Sequence, residues 1–478
     1  MRLHLFEVLS SAEVKAIHAA ALHILSDCGV KIGSPHMLDQ LRQKGLPVDP
    51  ARQRVCFPSA AVEDALTRIP ASFEVFNRDA HPAFTLGTGV PRMAAGHNAV
   101  FWLDSQTGET RSSRVSDVEQ FARICEQLPE SDMIGIPVMP QDGPDPQASL
   151  LYGVKACIEN SRKPIYFSTD KSAINRGCIE LLSSAFGGDL QSQAYGISQL
   201  SPTSPLFWEG SVLDAMQETL ATGVPLAILP EPNAGVSAPY TLAGLLTMNH
   251  AECLSGLVMI QLLKPGHKVM YANSWTTTDM RSGAALVGSI ETSICRVAAA
   301  QLARHCRVPS HTTAPNSDNH AHDEQNAWEK TYSLMASVGA GHDLVVNCGM
   351  FATGLTCSHE QLLMDAEMAG MARRFAQGID TSDAAIAADL IAGVGPLGES
   401  YLTQEHTLSR LRSNEYYIPT LAVRGPFASW KAAGGKDVVQ LASAKAQALG
   451  AMPGAKPTPA VQAKLQNCLA RLTATATA

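Results

Sequence analysis

The sequence predicts an α/β protein whose main body is a closed (β/α)8 barrel. Short apolar segments rich in β-branched residues alternate with longer helical stretches, as parallel β-α units do. The 478 residues are 45% hydrophobic, enough for one large core with an appendage. The number of units favours a TIM barrel. Seven strands are predicted, at Met133–Val138, Pro164–Ser168, Ala194–Ser198, Pro225–Leu229, Lys268–Ala272, Val308–Thr313 and Leu344–Asn347.

The rest of the chain is less sharply patterned. We predict a small N-terminal α+β subdomain over residues 1–95, because a capping box at Ser10–Glu13 opens a helix and short β-like pieces follow. The barrel domain then covers residues 96–432, with its weak eighth strand near Gly398–Leu402. Residues 433–478 are predicted to be a C-terminal helical extension and flexible tail. A doubly wound open sheet remains an alternative, because repeat count alone does not prove closure.

Composition excludes several classes of protein. A net charge of −8 and a pI near 6.0 argue against nucleic-acid binding. No run of eighteen apolar residues and no secretory leader is found, so we expect a protein with no membrane contact. Eleven scattered cysteines without a C-x-x-C pair predict buried thiols in a reducing cytoplasm. Motifs for phosphate loops, dinucleotides and the serine-hydrolase elbow are missing.

Polar residues cluster where the last two strands are predicted to end, between His311 and Glu367. Barrel enzymes keep their catalytic groups past the carboxyl ends of the strands. Asp323, Gln325 and Glu329 open a helix there, and Gln325 and Glu329 share one helical face. A catalytic role and a structural role in capping and buried polar contacts are both open.

Three further features each have a functional and a structural interpretation. His320, His322 and Asp323 could hold zinc or iron, or hydrogen-bond within their loop. Cys348 could be a nucleophile or a buried, inert thiol. Arg281 could clamp a carboxylate or pair with a nearby acidic side chain.

Four aromatic residues fall in predicted loops, Trp208, Tyr240, Trp275 and Phe351. Together they could surround a quaternary ammonium group through cation–π attraction, whereas core packing explains each one singly.

Several short motifs are spread along residues 10–450. They include Trp102-Leu-Asp-x-x-Thr-Gly-Glu109, Ser201-Pro-Thr-Ser-Pro-Leu206, Ala234-Gly-Val-Ser-Ala-Pro-Tyr-Thr-Leu-Ala-Gly244, Gln261-Leu-Leu-Lys-Pro-Gly266, Asp279-Met-Arg-Ser-Gly283, Asp323-Glu-Gln325 and Gly354-Leu-Thr-Cys-Ser-His-Glu-Gln-Leu362. In their number and order these motifs resemble the trimethylamine methyltransferase superfamily. The name-giving members carry pyrrolysine and this sequence shows none, so it resembles the non-pyrrolysine branch, which includes glycine betaine:corrinoid methyltransferases.

The resemblance implies a TIM barrel that moves a methyl group from a methylated amine to the cobalt(I) of a corrinoid (cobalamin) carried by a partner protein. A neutral tertiary amine would have to leave as an amide anion, whereas a quaternary ammonium leaves as a neutral amine. The expected substrate is therefore a betaine-type quaternary amine, with glycine betaine first, although a sulfonium satisfies the same logic. A homo-oligomer is also possible.

The resemblance implies roles for the candidate residues at the C-terminal face of the barrel. No resident metal is expected. Two alternatives remain open, a metal-dependent barrel hydrolase or lyase and a non-catalytic betaine-binding protein. The predicted catalytic residues are Asp323, Gln325 and Glu329, and the predicted substrate-binding residues are Trp208, Tyr240, Trp275, Arg281, His311, Cys348 and Phe351.

Overall fold

The centre of the molecule is a closed ring of eight parallel strands. The computed structural model describes residues 5–105, 107–398, 400–413 and 415–476. Sequential strands are neighbours around the ring, and a parallel bridge between Tyr271 and Ser310 joins its two ends. This order defines a TIM barrel and excludes the doubly wound sheet. The strands are β1 (Arg92–Ala95), β2 (Met133–Gly135), β3 (Ile165–Ser168), β4 (Gly196–Leu200), β5 (Leu226–Ile228), β6 (Val269–Tyr271), β7 (His311–Thr313) and β8 (Leu344–Cys348).

The N-terminal region packs against the outside and the bottom of this ring. Its helices are α1 (Ser11–His23), α2 (Pro35–Gln43) and α3 (Ser59–Thr67). The predicted capping box is present, because the Ser10 side chain accepts from the Glu13 amide and the Glu13 carboxylate accepts from the Ser10 amide. A hairpin of Phe73–Phe76 and Pro82–Leu86 places its apolar side chains in the same cluster as the barrel interior. The hairpin therefore closes one end of the barrel.

Each barrel strand is followed by one helix, which covers the outer face of the sheet. The connections contain further short strands, including the hairpin Thr277–Asp279 with Ala284–Leu286 after β6 and the pair Met350–Phe351 with Thr356–Cys357 after β8. The eight helices are α4 (Val115–Gln127), α5 (Ser149–Asn160), α6 (Ser172–Ala185), α7 (Gly210–Thr222), α8 (Leu242–Leu263), α9 (Ile290–His305), α10 (Glu324–Gly339) and α11 (His359–Gln377).

The C-terminal part is helical. Its first four helices, α12 (Asp383–Ile386), α13 (Ala388–Val394), α14 (Glu405–Arg410) and α15 (Phe427–Ala432), contain no buried residue. The last two, α16 (Val438–Gly450) and α17 (Pro459–Ala476), pack on the barrel helices α11 and α6 respectively. None of the described helices combines the length and the apolar character that a membrane span requires.

The positions of the seven predicted strands are confirmed, but that of the eighth is wrong. The missing strand is β1, which begins the barrel, whereas Tyr401–Thr403 is a short 3-10 helix. The sequence Arg92-Met-Ala-Ala95 has no β-branched residue and shows no alternation of polar and apolar residues, so it lacks the usual signals of a strand. Strand β1 falls inside residues 1–95, and the division into three domains stays a prediction.

Candidate active site at the barrel mouth

Polar side chains converge at the carboxyl end of the barrel strands, which we call the mouth. The interior below them is apolar and includes Ala94, Ile197 and Met270. Parallel strands bring their carboxyl ends to one face, so residues far apart in the chain meet there. The mouth is formed by His97, Tyr166, Ser168, Gln199, Glu231, His311, Asn316 and Asn347.

Tyr166 is the centre of a buried aromatic group. Its ring stacks on His311 with the centroids 5.3 Å apart and the planes 15° apart. His97 meets the same ring edge-on, with centroids 5.6 Å apart. The Tyr166 hydroxyl donates to Oε1 of Gln199, and burial raises its pKa well above the usual value. These three rings and one amide form a rigid, uncharged floor.

His97 is held in position from both sides. Its Nδ1 lies 3.2 Å from Oδ1 of Asn347, and its Nε2 lies 3.2 Å from Oγ of Ser168. Burial lowers its pKa to about 4, so the imidazole is neutral at physiological pH. Gly96 allows this placement, since its φ is 83° and a Cβ there would lie 2.5 Å from Cα of Pro137.

Asn347 adopts a backbone conformation that is unusual for a residue with a side chain. Its φ is 118°, in the region that favours glycine. The side-chain amide donates to Oδ1 of Asn316 at 2.9 Å, while its oxygen contacts His97. Such strain persists where surrounding contacts hold it, and it is frequent at functional sites.

His311 is buried in the barrel with both ring nitrogens unpartnered among the described residues. Burial, with smaller contributions from His97 and His342, lowers its pKa well below the usual value. The ring is therefore neutral and acts as an aromatic surface under Tyr166.

Glu231 is the acidic group of the mouth. It follows β5 by three residues, and it has no hydrogen bond or ion pair with any described residue. The side chain is exposed to the open mouth, yet the surrounding protein shields it from bulk water and raises its pKa to about 7. Its charge in turn contributes to the raised pKa of Tyr166, which places the two groups close together. A carboxylate with a raised pKa and no partner is typical of functional sites, and Glu231 could attract a cation when it is ionised.

A network of carboxylates shapes the loops above the mouth. Asp318 accepts hydrogen bonds from the amides of Val287 (2.8 Å) and Gly288 (2.9 Å) and from the Thr353 hydroxyl (3.2 Å). The loops after β6, β7 and β8 are thereby joined through one side chain. Burial raises the pKa of Asp318, although the amide bonds oppose this shift.

The predicted catalytic residues belong to this network or to the helix cap. Glu329 accepts from the Ser317 hydroxyl at 2.8 Å and from the Asp318 amide at 2.9 Å. Gln325 donates to the other oxygen of Glu329 at 2.9 Å. Asp323 is exposed and caps α10 by accepting from the Asn326 amide. This placement favours a supporting role for all three.

The predicted aromatic residues do not come together. Trp208 and Trp275 are buried outside the barrel, and their indole groups donate to the Ser255 hydroxyl and the Thr292 carbonyl. Phe351 is also buried, with its ring 4.9 Å from that of His322. Tyr240 is 59% exposed in the loop after β5. Only Tyr240 shares with Glu231 a loop that reaches the mouth.

Arg281 and Cys348 have placements that explain them without a substrate. Arg281 has 92% of its side chain exposed and makes a two-pronged pair with Asp279, with both contacts 3.0 Å long. Cys348 is buried, and burial raises the pKa of its thiol well above the usual value. A reactive thiolate is therefore disfavoured at Cys348.

The three residues that the sequence offered as metal ligands, His320, His322 and Asp323, have different surroundings and do not converge on one point. His320 is exposed, His322 contacts the Ser358 hydroxyl at 3.2 Å, and Asp323 serves the helix cap. Among the described residues, the group of three metal-binding side chains whose donor atoms lie within 4.8 Å of one another is elsewhere, at His18, His250 and Cys306.

Sequence reasoning identified His311 but missed His97, Tyr166, Gln199 and Glu231. Glu231 could have been found, because it follows the predicted strand Pro225–Leu229 within three residues. His97 was not predicted, because it follows β1 by two residues and the sequence does not show β1 as a strand. Tyr166 and Gln199 lie inside strands, where an inward-pointing polar group has the same pattern as a core residue.

Two solved structures share this fold over nearly the whole chain. The crystal structure of the monomethylamine methyltransferase MtmB from Methanosarcina barkeri matches with a TM-score of 0.54 at 11% identity, covering 98% of this chain and 88% of that one. The hydroxylamine complex of MtmB matches with a TM-score of 0.51 at 12% identity, covering 97% and 92%. The fold and the polar mouth define a TIM-barrel enzyme.

Similar protein sequences and a family model show which family this chain belongs to. A trimethylamine methyltransferase MttB of Methanosarcina barkeri (strain Fusaro / DSM 804) is 30% identical over 449 residues, covering 92% of this chain and 90% of the relative. A glycine betaine methyltransferase of Desulfitobacterium hafniense (strain Y51) is 29% identical over 431 residues, covering 89% and 88%. The model of the trimethylamine methyltransferase (MTTB) family matches residues 1–476. The chain belongs to this family and is a methyltransferase.

Proposed function

We propose that the protein moves a methyl group from a betaine-type quaternary amine to the cobalt of a corrinoid held by a partner protein. The observation that carries this proposal is Glu231, a shielded carboxylate in the mouth with no counter-charge among the described residues. A quaternary ammonium offers a permanent positive charge but no N–H to donate. It therefore needs a counter-charge and apolar or aromatic surface rather than hydrogen-bond acceptors.

The chain contributes binding, orientation and exclusion of water. Glu231 would face the ammonium charge, and the uncharged floor of Tyr166, His97 and His311 would limit how far the methylated nitrogen can descend. The substrate would thus be held with one methyl group directed towards the open side. When bound above the mouth, the partner's reduced corrinoid would supply the acceptor for that methyl group. The departing tertiary amine is neutral, so no proton has to move.

The choice of a quaternary substrate follows from the leaving group and from the amino acids present. The proposal assigns the chain to the branch without pyrrolysine, because the printed sequence has only standard residues, and a neutral amine would then have no activating group. Glycine betaine is the first compound to test, in agreement with one curated relative. Since Arg281 is engaged by Asp279, the proposal does not assign Arg281 to a betaine carboxylate.

We also propose that copies of this chain associate as a homo-oligomer. The described residues between 386 and 427 include several large, exposed apolar side chains. Aromatic and aliphatic residues of this kind are typical of buried interfaces. The exposed side chains include Ile386, Ile391, Leu397, Leu402, Leu408, Leu411, Tyr416, Ile418 and Phe427. The eleven free cysteines are consistent with a reducing cytoplasm as the location.

The visible absorption spectrum of a reduced corrinoid tests the reaction. Purified protein is incubated with cobalt(I) corrinoid on a carrier protein and with glycine betaine, proline betaine, carnitine, choline or trimethylamine. The proposal expects the methylated corrinoid with at least one quaternary amine and none with trimethylamine. Equal methylation by trimethylamine would reject the choice of substrate, and tight binding of a betaine without any transfer would favour the binding-protein alternative.

A further inference from the structure

A second cluster of chemically active side chains lies on the outer side of the barrel wall. It joins His18 of α1, His250 of α8 and Cys306, which directly follows α9. All three residues are buried, and one donor atom from each lies within 4.8 Å of the other two. Nδ1 of His18 and Nε2 of His250 are only 2.9 Å apart.

The other nitrogen of each imidazole is held by a second partner. Nε2 of His18 lies 2.9 Å from Oε1 of Glu63, and Nδ1 of His250 lies 3.0 Å from the Tyr271 hydroxyl. In each imidazole, one nitrogen therefore contacts a partner outside the cluster, and the other nitrogen faces the second histidine. Metal-binding histidines are oriented by such outer partners, most often a carboxylate or another oxygen.

We propose that Nδ1 of His18, Nε2 of His250 and Sγ of Cys306 bind a divalent transition-metal ion, with Zn²⁺ the best match. Two imidazoles and one thiolate are the donors that zinc prefers. The exposed His305, whose ring centroid is 4.9 Å from that of His18, is placed to become the fourth ligand. On binding, the Cys306 thiol loses its proton to solvent and both imidazoles stay neutral, so no electron is transferred.

The position of the cluster gives the ion a structural role. The ligands belong to three segments that are distant in sequence, one in the N-terminal helix and two in the barrel wall. The side chain of Tyr271 belongs to the outer apolar cluster, whereas that of its neighbour Met270 belongs to the barrel interior. The metal site is thereby separated from the mouth by the β6 wall. The ion would fasten α1 to α8 and α9 and would take no part in methyl transfer.

Without a metal, a single proton between His18 and His250 would account for the 2.9 Å contact. A bound metal ion and a shared proton differ in their effect on Cys306. The metal ion would bind the Cys306 thiolate, whereas a proton shared by the two histidines would leave this thiol unchanged. A thiolate bond to the metal is thus the decisive observation.

The test is the metal content and cobalt spectrum of the purified full-length protein, with any affinity tag removed. We expect close to one zinc ion per chain, and a thiolate-to-cobalt charge-transfer band after exchange for Co²⁺. Cys306→Ser should lose the band, and His250→Gln should lose most of the bound metal. Cys295→Ser, at a buried thiol of α9 outside the cluster, and His23→Gln, at an exposed position of α1, should keep both.

X-ray absorption of the wild-type zinc protein keeps the proposal testable if the variants do not fold. It should show one sulfur at about 2.3 Å and two or more nitrogens at about 2.0 Å. A wild-type protein that retains no zinc and shows no thiolate band with Co²⁺ would overturn the proposal, as would zinc bound by oxygen alone. The readouts need no amine substrate, so this result is independent of the proposed function.

Discussion

Lys330 and Asp365 form an ion pair 3.0 Å long although both side chains are completely buried. Lys330 also donates to the carbonyls of Pro315 (3.0 Å) and Met350 (2.6 Å), and Asp365 accepts from the amide of Gly349 at 2.6 Å. Pro315 follows β7, and the other two backbone groups follow β8. This one pair therefore fixes two adjacent loops at the mouth to the helices α10 and α11.

Lys330→Met should lower the free energy of unfolding strongly. The variant leaves a buried carboxylate and two buried carbonyls without their donor, and removal of one partner of a buried pair costs about 3–5 kcal/mol. Urea denaturation measures the change. Arg42→Met breaks a solvent-exposed pair with Asp39 and should cost less than about 1 kcal/mol. Similar losses in the two variants would show that the buried pair does not anchor the loops.

The affinity for a quaternary ammonium should rise with pH through about 7. Glu231 is protonated below its pKa of about 7 and charged above it, whereas the substrate keeps its charge throughout. His97, with a pKa of about 4, stays neutral over this range. The profile of kcat/KM between pH 5.5 and 9 should therefore rise through an ionisation near pH 7 to which Glu231 contributes.

Glu231→Gln should flatten that profile and lower kcat/KM at pH 8 by on the order of tenfold or more, because the counter-charge is lost from a shielded site. Glu74→Gln removes an exposed carboxylate in the hairpin at the other end of the barrel and should leave the profile intact. A pH profile that survives in Glu231→Gln would assign the ionisation to another group.

The aromatic residues should separate into packing residues and one residue near the substrate. Trp208→Phe loses the bond to Ser255 and should lower the free energy of unfolding by about 1–3 kcal/mol, with KM unchanged. Tyr240→Ala should raise KM for the quaternary amine about 2–5-fold, as expected for an exposed cation–π contact, with little loss of stability. Steady-state kinetics and urea denaturation on the same preparations distinguish the two. A large rise in KM for Trp208→Phe would instead support the prediction that all four aromatic residues surround the ammonium group.

Cys348→Ser should keep most of the methyl-transfer activity. The thiol is buried and its pKa is raised, so neither a nucleophilic step nor rapid alkylation is expected. Iodoacetamide labelling followed by peptide mass spectrometry should modify the exposed Cys28 quickly and Cys348 slowly. Loss of activity in a correctly folded Cys348→Ser protein would contradict this assignment.

The fold was largely predictable from sequence because its strands are separated by regular helical stretches. Residues such as Ile165–Ser168 carry their own β signal, and helices such as α10 begin at recognisable caps. Strand β1 was not predictable in this way, since an alanine-rich segment becomes a strand only when β2 and β8 supply its neighbours. Tertiary pairing decides such cases.

The residues of the candidate site were harder to predict than the fold, and their roles stay predictions. The loops after β7 and β8 do line the mouth, yet Asp323, Gln325 and Glu329 support loops there. Whether a polar residue points into the mouth or into a loop network depends on its side-chain direction, which local sequence does not encode. The stack of Tyr166 on His311 joins β3 to β7 and is a property of the closed ring.

The most direct test of the central claim uses glycine betaine in which the methyl groups on nitrogen are deuterated. After reaction with the cobalt(I) corrinoid carrier, mass spectrometry measures the demethylated tertiary amine and the label on cobalt. We predict one deuterated methyl group on the corrinoid for each dimethyl product, with a much slower reaction in Glu231→Gln. Cobalt methylation without the dimethyl product, or no transfer from any quaternary amine by a folded and substrate-saturated protein, would contradict the account.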